Sequence, residues 1–348
     1  MKKLACLICL IVTVGAVPAT ARPEKVPPGQ AKKMCSDRLD DVKALTVPVG
    51  DETATGRYAL PDSPPKALVV FAHGYSHHSE SWIEHMRKAA ADHGVIAVAM
   101  DYRGTYEQAN EDGSVTVRGW FVKEGAEDLI AATKLFQGLC PSIEETTLFG
   151  VSMGGNASGL ALAAAAQEKS PSGDPLFDHW FDVEGAVNVV ETYAGASVLA
   201  PANEFAAFAK ADIEDEMNGT PTDDPEGYAD LAVVSHIDEI AASGVQGIAV
   251  IHALEDGLVP YNQARELVTE LIPTQIPLEV HTIAGKGDGE SGTTASGYSP
   301  VKDSPFAGHA SEKSETHIIM VTAFDRLWSL IDEGVGFESY TEHFVDGL

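Results

Sequence analysis

Between residues 42 and 331 the apolar positions follow two alternating rhythms. Short, nearly continuous runs of apolar and β-branched residues recur at 67–72 (ALVVFA), 95–100, 146–149, 180–187, 247–253 (GIAVIHA) and 278–283. Runs of this length and composition predict strands buried on both faces, as in a mostly parallel sheet. Between them, residues 85–93, 124–137, 154–167, 261–271 and 316–331 carry apolar or small residues at helical spacing. Residues 42–60 instead alternate apolar with small polar side chains, the pattern of early antiparallel strands. Strand and helix therefore alternate along the chain, which predicts an α/β fold with a doubly wound, mostly parallel sheet. One stretch breaks the rhythm. Residues 188–243 are rich in Ala, Glu, Asp and Pro with helical patches, and are too long for an ordinary connection. They predict a helical cap inserted between two core strands.

The first residues change the expected location. Lys2 and Lys3 precede an apolar stretch at 4–17, and Ala19-Thr20-Ala21 is a small-x-small cleavage signal. This pattern predicts a signal peptide over 1–21, followed by a Pro-rich tether at 22–34, so residues 22–348 form the exported domain. The apolar stretch is too short to predict a spanning helix. Export places the protein outside the cell or in a periplasm. There, the two cysteines that remain after cleavage, Cys35 and Cys140, are a candidate disulfide. Charge narrows the partners. The chain carries 23 Lys plus Arg against 52 Asp plus Glu, a net charge of −29. That field repels nucleic acid and anionic lipid, so neither is an expected partner.

Candidate chemistry sits at the ends of the apolar runs. Gly150-Val151-Ser152-Met153-Gly154-Gly155 fits G-x-S-x-G between a short strand and a small-residue helix. A serine hydroxyl is a weak nucleophile and must be held exposed beside a base, which a sharp strand-to-helix turn achieves. The run 67–72 ends in His73-Gly74-Tyr75-Ser76. In such an arrangement the backbone N–H groups of Tyr75 and Met153 form an oxyanion hole. His73, which precedes the serine, is read as a structural hydrogen-bonder. The run 247–253 ends in the acidic turn Leu254-Glu255-Asp256-Gly257-Leu258-Val259-Pro260. Asp256 is the candidate to orient the base, with Glu255 as its neighbouring alternative. His77, His78, His85 and His93 lack a Cys or carboxylate cluster at ligand spacing and are read as surface and loop residues, so no metal is expected. Asp288 and Glu290 lack the alternating acids of a calcium loop. Trp180, Phe181 and Tyr193 are read as packing residues, and Glu184 is left without a role.

The strand-HGYS, GVSMGG and ALEDGLVP segments, in that order, resemble the α/β-hydrolase superfamily, in particular its prolyl-oligopeptidase-like and dienelactone-hydrolase-like branches. The resemblance covers residues 67–331. It implies the α/β-hydrolase fold and a triad in the order Ser, Asp, His, so a histidine must follow Asp256. The turn at 284–289, where such proteins often place it, has none. His309 in Ala307-Gly308-His309 is the expected base and His317 the alternative; His343 lies almost at the end. The implied activity is hydrolysis of a carboxylic ester, small or polymeric, without a cofactor. A peptidase or amidase on the same fold, and a non-catalytic binding protein on this scaffold, are the alternatives.

Overall fold

A computed structural model describes residues 35, 41–110, 113, 115–284 and 308–346. The segments read above as leader and tether, and the loop carrying Asp288 and Glu290, lie outside the described residues. The strands β1 (Lys43–Val49) and β2 (Glu52–Ala59) pair antiparallel. They are followed by β3 (Ala67–Ala72), α1 (Ile83–His93) and β4 (Ile96–Met100). A small hairpin comes next, β5 (Tyr106–Ala109) with β6 (Val115–Arg118). The chain continues through α2 (Val122–Leu139), β7 (Glu145–Val151), α3 (Met153–Ala164) and β8 (His179–Val183). Four helices then intervene: α4 (Val189–Leu199), α5 (Glu204–Met217), α6 (Pro225–Asp230) and α7 (Ile237–Ser243). The last part comprises β9 (Gly247–Ala253), α8 (Asn262–Leu271), β10 (Leu278–Ile283), α9 (Ile318–Glu333) and β11 (Thr341–Val345).

The main sheet runs β1-β2-β4-β3-β7-β8-β9-β10-β11. From β4 to β11 every pairing is parallel, and only β1 and β2 run against their neighbours. Alternation along β3 shows why its residues had to be apolar throughout. Leu68, Val70 and Ala72 enter one core layer, while Val69 and Phe71 enter the other. On the first face they pack with residues of α2, α3 and α8, such as Leu129, Leu162 and Leu267. On the second face α1 and α9 supply Met86, Ile319 and Leu327, around a cluster of Phe71, Trp82, Phe149 and Phe324. Full burial of each such side chain contributes about 1.5–3 kcal/mol.

The strand order reverses beside β3, whose neighbours are β4 on one side and β7 on the other. A crevice opens at the carboxyl ends of the strands at such a switch point. The segments that begin at His73 and Ser152 leave β3 and β7 there.

Residues 189–243 are largely helical, and three of the four helix starts are fixed by a side chain. Asn188 accepts from Val190 N and Glu191 N, Asn203 from Ala206 N, and Asp224 from Gly227 N ahead of Pro225. Strand β8 is shorter than the apolar run suggests. It ends at Val183 because Glu184 adopts φ 52°, a left-handed conformation that breaks the extended chain. The β5–β6 hairpin and the edge strand β11 were not anticipated; both are short and largely exposed, so neither leaves a continuous apolar run.

Cys35 and Cys140 form a disulfide, with Cα atoms 5.6 Å apart across 105 residues of sequence. Both are buried beside the core layer of α2. Closing a loop of that size restricts the unfolded chain by about 4–5 kcal/mol. Replacing both by serine should lower the urea midpoint correspondingly, and an unchanged midpoint would show that the bridge holds nothing in place.

Candidate active site

Ser152 stands at the end of β7 with φ 58° and ψ −123°, a conformation uncommon for a side chain with Cβ. The surrounding backbone fixes it. Its N–H donates to Val183 O at 2.9 Å, and its carbonyl accepts from Gly155 N at 2.9 Å and Ala186 N at 3.0 Å. The turn fits only because two neighbours lack a side chain. A Cβ on Gly154 would lie 2.1 Å from Ala72 O, and one on Gly150 would lie 2.2 Å from Gly154 O. Helix α3 begins at Met153, so the N–H groups of its first turn and its positive end lie next to the hydroxyl.

Gly74, just after β3, comes so close that a Cβ there would sit 3.4 Å from Ser152 Cβ. That contact brings the Tyr75 segment beside Met153. The Tyr75 ring is held by a buried clamp. Its hydroxyl donates a short hydrogen bond to Asp212 of α5. Arg118 at the end of β6 grips the same carboxylate through Nε (2.9 Å) and Nη2 (2.6 Å), and Gly119 N donates to it at 2.8 Å. Burial and the Asp212 charge together push the Tyr75 phenol far above its ordinary range, so it stays protonated. Pairing a buried carboxylate with both Arg118 and a phenol satisfies it without water. His73 is buried, stacks on Tyr102 at 3.9 Å and bonds Gly74 O at 2.9 Å; burial lowers its pKa to about 4. It is a structural hydrogen-bonder, as read from the sequence.

Asp256 lies in the turn after β9. Its Oδ1 accepts from Leu258 N (2.8 Å) and Val259 N (2.9 Å), which leaves Oδ2 for His309 Nδ1 at 2.7 Å. Glu255 beside it is exposed. His252 Nε2 also lies 3.4 Å from Asp256 Oδ2 while bonding Val259 O at 2.8 Å. Burial alone would push Asp256 up. The charges and hydrogen bonds of His309 and His252 outweigh it and hold the carboxyl well below the usual carboxylate range. His309 and Ser152 line one small cavity of about 40 Å³, together with Gly74, Tyr75, Phe205 and Leu258. Among the described residues no hydrogen bond joins the hydroxyl to the ring. Such bonds are often long in unliganded sites and tighten around substrate. His317 is elsewhere. It caps α9, its Nδ1 accepting from Ile319 N at 3.3 Å. His343 stacks on His281 in the β10–β11 edge.

Several functional-looking contacts leave no signal in the sequence. Glu312, three residues beyond His309, is buried and accepts from Gly74 N (3.3 Å) and Ser81 Oγ (2.9 Å). His77 Nδ1 lies 2.7 Å from the same oxygen. Glu312 thus ties the segment after β3 to the segment carrying His309. His77 lines the cavity, and His85 is buried in α1 against Phe324, so neither is the surface residue expected. Trp180 and Phe181 pack on opposite faces of the sheet, and Tyr193 bonds Glu214, in keeping with a packing role. Among the described residues, two clusters could offer three ligands to a metal: Glu184, Asp256 and His309, and Glu279, His281 and His343. In the first, Asp256 and His309 are already bonded to each other at 2.7 Å, and in the second both Glu279 oxygens are bound by Arg326 at 2.5 and 3.0 Å. No helix among the described residues is long and apolar enough to cross a membrane.

The model of the prolyl oligopeptidase family matches residues 81–299. In structure the chain is similar to the acylaminoacyl peptidase of Pyrococcus horikoshii, at 18% identity and a TM-score of 0.53, covering 86% of this chain and 42% of that one. It is similar to a puromycin hydrolase at 17% identity and a TM-score of 0.56, covering 87% and 41%. An esterase of Pyrococcus furiosus matches at 18% identity and a TM-score of 0.50, covering 70% and 81%. The likenesses establish a shared fold, and the chain spans about two fifths of the length of the peptidase and the puromycin hydrolase. No curated protein matches it.

The Glu312 contacts carry a pH signature. Burial raises this carboxyl, but His77 and His73 oppose it and bring its pKa down to about 2. An acid depressed in the folded state contributes stability above its unfolded value of about 4.3, lost as pH falls toward the folded value. Glu312→Gln should therefore cost on the order of 2–3 kcal/mol near neutral pH and progressively less in acid. Thermal unfolding of both proteins from neutral pH to about pH 3 reads this directly; parallel curves would contradict it.

Proposed function

This chain belongs to the prolyl oligopeptidase family, whose model matches residues 81–299, and from that premise we propose that it is an exported serine hydrolase acting on carboxylic esters. Ser152 Oγ attacks the carbonyl carbon while His309 Nε2 takes its proton. Asp256 holds the ring through Nδ1 and stabilises its charged form. The N–H groups of Tyr75 and Met153 receive the oxyanion, each worth about 3–4 kcal/mol of barrier. The tetrahedral species collapses, His309 returns the proton to the leaving alkoxide, and an acyl-enzyme remains. Water, deprotonated by the same ring, then releases the acid and restores Ser152. The balance needs no cofactor.

The observation that carries this reading is the 2.7 Å bond between His309 Nδ1 and Asp256 Oδ2, in a cavity that Ser152 shares. The ester reading is supported by the likeness to the Pyrococcus furiosus esterase, 81% of whose length is covered. Residues 188–243 act as a cap, with Phe205 of α5 placed against the cavity. Export is supported by the leader pattern at 1–21 and by the Cys35–Cys140 bridge, which an oxidising compartment sustains. Peptide or amide hydrolysis is the second reading, and family membership favours it.

A fluorophosphonate probe should label the folded wild type and leave Ser152→Ala unlabelled, with kcat for p-nitrophenyl acetate falling by about 10⁶-fold in the variant. An unlabelled wild type would leave a non-catalytic binding protein. Faster turnover of peptide p-nitroanilides than of p-nitrophenyl esters would replace the esterase reading by the peptidase one.

A further inference from the structure

One buried carboxyl beside the base has no place in the triad. Glu184 follows β8 at φ 52°, and its side chain is fully buried. A left-handed backbone at a residue with Cβ costs about 1–3 kcal/mol and persists only where its surroundings impose it. Here the Glu184 N–H donates to Ile251 O at 2.9 Å, so β9 still guides the chain as the strand ends. That pairing delivers the carboxyl to the base. Its Oε2 accepts from Ala310 N at 2.7 Å and lies 3.6 Å from His309 Nδ1, the atom that Asp256 holds at 2.7 Å. Its Oε1 is buried without a hydrogen-bond partner among the described residues.

We propose that Glu184 is a second carboxyl partner of His309: it positions the base through the Ala310 amide and stands ready to take the Nδ1 hydrogen bond when Asp256 cannot. The inference rests on the triad reading above. Two carboxyls facing one ring nitrogen cannot both be charged in a dry site. Burial, followed by the Asp256 charge, drives Glu184 well above the ordinary carboxylate range, while Asp256 stays ionised. The other groups facing the pair are Asp182 near the end of β8, His252 and His309. The division of labour follows. Asp256, with two N–H donors, carries the negative charge. Glu184, with one, remains a neutral carboxyl whose oxygen fixes the segment next to the base. Replacing Asp256 by its amide removes its charge, the second of these causes, while burial remains, so Glu184 ionises at a lower pH than before and can then accept the ring proton's hydrogen bond.

The test compares Asp256→Asn, Glu184→Gln and the double variant by kcat/KM on p-nitrophenyl acetate across pH. Converting a triad aspartate to asparagine costs about 10⁴-fold where no second acid stands by. Here Asp256→Asn should lose only about 10²-fold, and its activity should climb with pH as Glu184 ionises. The double variant should lose a further factor of about 10² and the climbing limb with it. With Asp256 intact, Glu184→Ala should lower kcat about tenfold, and Glu184→Gln, whose amide oxygen still accepts from Ala310, should recover most of that. A double variant equal to Asp256→Asn at every pH would overturn the proposal. If the double variant does not fold, proton NMR of Asp256→Asn decides: a downfield Nδ1–H resonance at alkaline pH supports Glu184 as partner, and its absence overturns it. Fluorophosphonate labelling that depends on Ser152 checks the triad reading separately, so the two failures are distinguishable.

Discussion

Three buried carboxyls hold the five-residue segment that carries His309. Asp256 binds the His309 ring, Glu184 binds the Ala310 amide, and Glu312 reaches back to Gly74 N and Ser81. Residues 308–312 belong to no helix or strand. Beyond the packing of Ala310 in the core, those contacts are what orient the segment toward Ser152. The contacts come from the ends of β8 and β9 and from the segment after β3, so the parallel sheet sets their spacing. A loop residue acquires the precision of the sheet because it is bound to strand ends on both sides.

The same constraint explains the mixture of charge states in so small a volume. Carboxylates buried together repel, and each must find donors or keep its proton. Asp256 has two amides and two imidazoles and stays ionised, and Glu312 has an amide, a hydroxyl and an imidazole. Glu184 has a single amide and is pushed upward. Asp212, on the other side of the crevice, is neutralised by Arg118 and locks Tyr75 and α5 together. The helical insertion is therefore attached to the β5–β6 hairpin by an ion pair and to the segment after β3 by the Tyr75 hydrogen bond, as well as by apolar packing. Both the position of Phe205 and the orientation of the Tyr75 segment depend on that attachment.

Much of this was legible in the chain before the structure. The runs 67–72, 247–253 and 278–283 are strands over those very residues, since a strand buried on two faces leaves an unbroken apolar record. The tight turn at Ser152 was legible because it demands glycine on either side. The acidic turn at the end of β9 was legible from the apolar run before it. His309 and His317 stayed alternatives, because loop geometry decides which ring faces Asp256. Glu312 and Asp212 were silent, and Glu184 stood out only as a strand-end residue without a role. In a chain with 52 acids, most of them solvated, nothing in spacing marks the few that are buried. The end of β8 was misjudged for a related reason: Ala186 and Val187 are buried, but in the turn beside Ser152 rather than in the strand.

The base is the hinge on which the chemistry turns. Its identity is read most directly from the rate at which a fluorophosphonate inactivates His309→Ala and His317→Ala. The His309 variant should react slower than wild type by about three orders of magnitude, the loss expected when the proton acceptor is gone. The His317 variant should react at nearly the wild-type rate, with only a lower thermal midpoint from the lost helix cap. Wild-type inactivation of His309→Ala, with the loss appearing in His317→Ala, would contradict the assignment.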